Sequence, residues 1–309
     1  MSAASDGPSA ARLEGVLVVD KPPGMTSHDV VATVRRAIGA KRRSGPKVGH
    51  AGTLDPAATG VLVVCLGKAT RLVPWLQASR KTYEARMRLG ASTTTLDGEG
   101  EIVAEVDGSH LDEPAVCDAL KGFVGTVEQV PPMVSARKVG GERLHEKARR
   151  GEVVEREARP VQIYDLVLED FEPGARPEAT FLVTCSSGTY VRTLAADVGE
   201  QLDVGAHLVA LRRLGSGRFD ISQAVGLTEL TERAEAGQVG DLLLSLADAV
   251  ADYPARRVDE GEAAALSHGR PLDPTGTEGS VAAVAPDGSL VAMLADEGGA
   301  ARPQAVFAS

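Results

Sequence analysis

The sequence predicts an α+β fold: a mixed, largely antiparallel sheet with helices, followed by a small β-rich segment. Three observations carry this. Strand-like apolar runs and amphipathic helical stretches are interspersed without strict βαβ alternation. The 309 residues are 43% hydrophobic and 25% charged, proportions that supply a globular core and exclude wholesale disorder, collagen and coiled coil. Near the C-terminus, Val281–Val284 and Leu290–Leu294 flank Pro286-Asp287-Gly288, the turn chemistry of a hairpin.

The elements follow in order. Residues 1–13 are Ala/Ser-rich, without a basic head or an apolar core segment, and read as a frayed tail rather than a signal peptide. Gly15–Asp20 reads as a buried strand stopped by Lys21-Pro22-Pro23-Gly24. Thr26 or Ser27 caps a helix over His28–Ile38, and Gly39 ends it. The apolar run Val61–Leu66 is strand-sized, too short for a membrane helix. Lys68–Ala78 has helical spacing, Thr82–Leu89 alternates as a strand, and Glu101–Val106 is a further strand candidate. Glu113–Phe123 reads as a helix, Val161–Leu168 and Thr180–Cys185 as strands. Thr189–Leu202 places Leu194, Ala195, Val198 and Leu202 on one helical face. His207–Leu214 and Phe219–Ile221 read as strands, Asp241–Val250 and Glu260–Ser267 as helices. A domain boundary is expected near Ala249–Arg256.

Composition narrows the chemistry. Three distant cysteines (Cys65, Cys117, Cys185) suit a reducing cytosol and offer no disulfide framework or Cys-x-x-Cys metal knuckle. The six histidines show no metalloenzyme spacing. Gly60…Gly67-Lys68 has the wrong spacing for a phosphate-binding loop, and Ala69 stands where Ser or Thr would follow the lysine. The net charge of −10 is unevenly distributed. Residues 1–90 hold 14 Lys and Arg against six acids, and Val30–Leu54 contains no acid while carrying Arg35, Arg36, Lys41, Arg42, Arg43 and Lys47. Arg137–Arg150, which includes Lys147, carries six bases against two acids. Such patches on an acidic body suit a polyanion partner; charge alone leaves solvated faces equally open.

The densest stretch is Gly49-His50-Ala51-Gly52-Thr53-Leu54-Asp55-Pro56-Ala57-Ala58-Thr59-Gly60. Its glycines and proline make a tight loop that presents Asp55 and His50 between a basic segment and a buried strand. A lone carboxylate among cations stays ionised, fit to act as nucleophile or base; the alternative is that Asp55 merely opens an Asp-Pro turn. Tyr83 and Tyr190 stand out in a chain with 3% aromatics. If residues 190–192 are extended, Tyr190 and Arg192 share a side, able to stack a base and pair a carboxylate. A packing tyrosine and a surface arginine are the plainer alternatives.

These residues resemble the TruB family of tRNA pseudouridine-55 synthases. The resemblance rests on Asp20-Lys21-Pro22…Gly24-Met25-Thr26-Ser27, on the Gly49–Gly60 stretch, on Lys81-Thr82-Tyr83, on Ser187-Gly188-Thr189-Tyr190-Val191-Arg192 and on Leu211-Arg212-Arg213. It covers roughly residues 14–250, and its wording is similar to actinobacterial members. It implies a pseudouridine synthase catalytic domain over 14–250, with an RNA-binding insertion at about 131–160, and a PUA-like domain over 251–309.

The resemblance also implies a cofactor-free isomerisation of a flipped-out uridine in the T-arm stem-loop of tRNA. Asp55 is then the nucleophile, Arg192 its ion-pair partner, and Tyr83 the base-stacking residue and proton-transfer candidate. Tyr190 lines the pocket with Lys21 in the substrate site, Leu211 closes its apolar wall, and His50 fills space left by the departing nucleotide. Arg42, Arg43, Lys147 and Arg150 become grips on the tRNA backbone. The segment 251–309 has four bases against nine acids, poor equipment for holding phosphates. The implied protein is a cytoplasmic monomer with no metal, no membrane association and no obligatory protein partner. A tRNA-folding chaperone acting by binding alone is the alternative, and the complete Asp55, Tyr83 and Arg192 set favours chemistry. A guide-RNA-directed relative in a multi-protein particle is disfavoured by the insertion and the lack of a long basic tail.

Overall fold

A computed structural model describes residues 13–40, 45–132, 138–139, 142–143 and 156–308. The α+β class, with antiparallel pairing dominant, is the one observed. The chain divides into two compact units, one of residues 1–54, 61–77 and 217–309, the other of residues 55–60 and 78–216.

The second unit is built on an antiparallel run of strands in the order Ala206–Ser216, Lys81–Leu89, Glu178–Cys185, Arg159–Glu172, Gly125–Gln129. Alternation explains the central strand: Lys81, Tyr83, Ala85, Met87 and Leu89 are buried, whereas Glu84 and Arg86 are exposed. Thr59 and Gly60 join the far side of Ala206–Ser216 in parallel, with Gly60 opposite Arg213. Gly60 has φ of +97°, and a Cβ there would stand 2.2 Å from the Arg213 carbonyl oxygen, so only glycine lets the two backbones approach this closely. The helix Val191–Gln201 buries Val191, Leu194, Ala195 and Val198 and packs on Ala206–Ser216.

In the first unit, the strand Gly15–Lys21 lies beside Thr59–Leu66, and Val48–His50 pairs antiparallel with the latter, His50 opposite Val64. The helix Ser27–Ala37 starts at a Thr26–Asp29 capping box and turns Val30, Val31 and Val34 toward Leu17, Val19, Leu62 and Val64. The C-terminal strands Ala255–Arg257, Ser280–Val284, Leu290–Glu297 and Ala300–Val306 form a four-stranded sheet in that order. Its hairpin turns where expected, with the Ser289 amide donating to Asp287 Oδ1 at 2.9 Å. Leu290, Met293 and Phe307 of this sheet share one apolar cluster with Val16, Val18, Val61 and Leu72.

Several expected elements differ in detail. Lys68–Ala78 is not one helix but a 3₁₀ segment, Gly67–Leu72, followed by the helix Val73–Ala78; Pro74 sits at its second residue, where a missing N–H costs nothing. The stretch expected as a helix over 241–250 is interrupted because Leu244 exchanges backbone hydrogen bonds with Val16 at 2.8 and 2.9 Å, and only Leu246–Ala249 is α-helical. The helix Leu227–Glu235 and the strands Gly125–Gln129 and Ala300–Val306 were not foreseen.

Candidate active site

The loop that carries Asp55 is fixed just before it. Ser27, 2% exposed, accepts a hydrogen bond from the Leu54 amide at 2.9 Å and donates to the Leu54 carbonyl at 3.2 Å. The cap of the first helix is therefore Thr26, and Ser27 is the loop's anchor. Beyond it, the Asp55 carbonyl accepts from the Ala58 amide at 3.1 Å. Asp55 does open an Asp-Pro turn, through its backbone carbonyl.

The Asp55 side chain meets Arg192 within the second unit. Arg192 Nη2 lies 3.1 Å from Asp55 Oδ2, and Arg192 Nη1 lies 3.1 Å from Asp97 Oδ2 and 3.2 Å from the Thr95 carbonyl oxygen. The guanidinium is 5% exposed, Asp97 17% and Asp55 45%. The cation is thus enclosed between two carboxylates, and the one that remains open to a ligand is Asp55. Asp97 belongs to none of the motifs in the sequence. It sits in the turn between the strands Ala91–Thr93 and Ile102–Glu105, after Leu96 at φ +63°, and docks against Ala206–Ser216 through the Leu208 amide, which donates to the Leu96 carbonyl at 3.0 Å. Its only local signal is an aspartate in a threonine-rich Asp-Gly turn.

Helix geometry corrects the expectation for residues 190–192. The helix begins at Val191, with Tyr190 as an extended N-cap residue, so Tyr190 and Arg192 are not alternate residues of one extended segment. Arg192 is in the first helical turn, which directs it inward to the two aspartates. Gln129, 2% exposed and also unforeseen, clamps the entry: Oε1 accepts from the Tyr190 amide at 2.9 Å and Nε2 donates to the Tyr190 carbonyl at 3.0 Å.

Tyr83 is 8% exposed and within electrostatic reach of Asp55. Burial raises its phenol above the ordinary value, while the Arg213 charge and a hydrogen bond from Arg213 act in the opposite direction. Leu211 and Arg213 are consecutive same-face residues of Ala206–Ser216, opposite Ala85 and Tyr83 respectively. Lys81, also buried, donates to the Ser79 carbonyl at 2.7 Å. Burial, then the Arg213 charge, pulls its ammonium down to about 8, while burial pushes the neighbouring Cys185 thiol up to about 11.

Asp55, Tyr83, Tyr190, Arg192 and Leu211 therefore all belong to the second unit. Lys21 and His50 belong to the first. Lys21 is fully buried and donates to the Pro22 carbonyl at 2.9 Å. His50 Nε2 lies 3.3 Å from His28 Nδ1, the rings edge to face. Arg42, Arg43, Lys147 and Arg150 lie outside the described residues. Among the described residues no cluster of three or more His, Cys, Asp or Glu side chains has metal-binding geometry.

Comparison with known proteins shows the family. The family described as TruB family pseudouridylate synthase (N terminal domain) matches residues 35–191. Two C-terminal families, described as tRNA pseudouridylate synthase B C-terminal domain and tRNA Pseudouridine synthase II, C terminal, match residues 192–251 and 253–308. A relative named tRNA pseudouridine synthase B from Thermobifida fusca is 47% identical over 96% of this chain and 99% of its own. One of the same name from Symbiobacterium thermophilum is 54% identical over 84% of each. Among solved structures, an H/ACA RNP bound to a substrate RNA containing 2′-deoxyuridine aligns with a TM-score of 0.73 at 26% identity, covering 96% of this chain and 85% of that one. A Cbf5-Nop10-Gar1 complex aligns with the same score at 29% identity, covering 95% and 85%.

Proposed function

The chain belongs to the TruB family of pseudouridylate synthases, and on that premise we propose that it converts uridine-55 in the T-loop of tRNA to pseudouridine, with Asp55 as the nucleophile. The observation that carries the reading is the half-exposed Asp55 carboxylate held 3.1 Å from an almost fully buried Arg192. A cation already in place orients the nucleophile without reorganisation during the reaction.

The reaction balances without a co-substrate. The bond from C1′ to N1 of uracil breaks, the base turns, and a bond from C1′ to C5 forms. C5 loses a proton and N1 gains one. A bond to Asp55, at C6 of the base or C1′ of the sugar, carries the intermediate and breaks again, returning the carboxylate, as the product is completed. The uridine leaves the loop stack at a cost of a few kcal/mol, which stacking on Tyr83 offsets by about 1–3 kcal/mol. Leu211, opposite Ala85 on the Tyr83 face, closes the apolar side of the pocket, and Tyr190 lines its entrance. The acid-free basic stretch supports a grip on the tRNA backbone by Arg42 and Arg43, with Lys147 and Arg150 as a second grip.

The test is modification of an unmodified tRNA transcript, with mapping of the product position. The native protein should form pseudouridine at position 55. Asp55→Asn, nearly isosteric but not nucleophilic, should form none while holding tRNA within several-fold of native affinity. Turnover by purified Asp55→Asn would remove Asp55 from this role.

A further inference from the structure

We propose that Arg213 is a positioning residue for the same reaction, acting through the Tyr83 phenol to ready its oxygen for the C5 proton of uracil. The inference rests on the pseudouridine synthase reading and deepens it.

Arg213 is 1% exposed and heads the fully buried side chains by volume. Guanidinium stays charged inside proteins, and burying it costs several kcal/mol unless it is well paired. Its place in the sheet gives the burial a use. Arg213 is the register partner of Tyr83 on one side and of Gly60 on the other. Its side chain is hydrogen-bonded to the Tyr83 phenol. Its backbone is in such close contact with Gly60 that a Cβ at that glycine would meet the Arg213 carbonyl oxygen at 2.2 Å and the Arg213 nitrogen at 2.8 Å. Gly60 ends the segment that Asp55 begins. One residue thus ties the loop of the nucleophile to the tyrosine, and a shift of either is passed to the other.

The charges around Tyr83 favour this division of labour. Arg213 faces it from Ala206–Ser216, Cys185 from Glu178–Cys185, and Asp55 from its loop. The Cys185 thiol stays protonated and Asp55 opposes a phenolate, so of these three groups Arg213 is the one that stabilises it. Lys81, two residues earlier on the Tyr83 strand, directs its amine to the Ser79 carbonyl and hydroxyl at 2.7 and 2.8 Å. Arg192 serves Asp55; Arg213 serves Tyr83. In the step concerned, the Tyr83 oxygen, its own proton passed to solvent, takes the C5 proton while the C5–H electron pair restores the C5–C6 double bond. The pair this displaces at C6 moves to N1 or leaves with the Asp55 carboxylate where that is bonded to C6. The phenol then returns its proton to solvent, and N1 takes one from solvent.

The experiment is a double-mutant cycle with Arg213→Lys and Tyr83→Phe, read as release of tritium from C5-labelled tRNA and as kcat and KM separately. Arg213→Lys should lower kcat about 10- to 100-fold, leave KM within about threefold, and move the acid limb of the pH–rate profile upward. In the Tyr83→Phe background the same substitution should cost less than about threefold. An equal cost in both backgrounds, or an unchanged kcat in Arg213→Lys, overturns the proposal. Should Arg213→Lys not fold, Arg213→Gln takes its place in the same cycle, and an equal cost of that substitution in the native and Tyr83→Phe backgrounds overturns the proposal. Native protein that releases no tritium refutes the underlying functional reading instead.

Discussion

Asp97→Asn isolates the contribution of the second carboxylate on Arg192. The substitution preserves shape and an acceptor oxygen but removes one of two charges at 3.1 Å from a guanidinium that is 5% exposed. Two unit charges about 4 Å apart interact by about 4 kcal/mol at the effective dielectric of a protein. Asparagine needs less desolvation than aspartate and keeps a dipole toward Nη1, which reduces the net loss to about 2–3 kcal/mol. On a unit of this size that is a fall in melting temperature of about 5–10 °C. Arg192 then retains Asp55 and the Thr95 carbonyl, but its orientation is held by one charge in place of two, and under the proposed role of Asp55 its unbalanced charge makes that carboxylate a poorer nucleophile. We expect kcat to fall about 10- to 100-fold. KM for tRNA should stay within about threefold, because Asp97 lies behind the arginine and is only 17% exposed. Single-turnover conversion of saturating tRNA, alongside a thermal melt, measures both. A folded Asp97→Asn protein with native kcat would refute the argument that the two-carboxylate clamp prepares Asp55.

Three further outcomes follow from the packing and the charges. Gly60→Ala puts a methyl group against the Arg213 backbone at a φ of +97°, so denaturant unfolding should show a loss of about 2–5 kcal/mol; a change below about 1 kcal/mol would show that the strands relax freely. Lys81 has its ammonium pulled from 10.5 to about 8 by burial, so between these values the native state binds fewer protons than the unfolded chain and its stability rises with pH. The stability of native protein relative to Lys81→Met should therefore improve by about 2 kcal/mol from pH 7.5 to 9.5, and a constant difference would contradict it. Deleting residues 251–309 strips Leu290, Met293 and Phe307 from the cluster around Val16, Val18, Val61 and Leu72, and Lys68 loses its 2.8 Å bond to the Phe307 carbonyl. At about 2–5 kcal/mol per large apolar side chain, the truncated protein should aggregate or melt far below the full chain; a soluble truncation with an unchanged melting temperature would show that the C-terminal sheet is dispensable to this core.

The sequence by itself determined what nearest neighbours decide. Thr26 through Asp29 specify a capped helix start, Pro286-Asp287-Gly288 a hairpin turn, and the glycines and proline of residues 49–60 a tight loop with Asp55 in it, because caps and turns depend on a few adjacent dihedrals and hydrogen bonds. Alternation along Thr82–Leu89 already specified a strand. Motif order was enough to name Asp55, Tyr83 and Arg192 together. The tertiary structure alone decided the partners. Asp97 and Arg192 are separated by 95 positions, and nothing local to either residue announces the other. The strand register, not the spacing, brings Arg213 between Gly60 and Tyr83. Asp241–Val250 reads as a helix, yet Val16 claims the backbone of Leu244 for a strand bridge, since a buried strand edge must find partners for its amides and carbonyls. The C-terminal sheet, separable by composition, shares a core with the first strands because its apolar face has to be covered by another apolar surface. Local chemistry selected the elements and the reactive loop, and long-range packing selected which charges face each other.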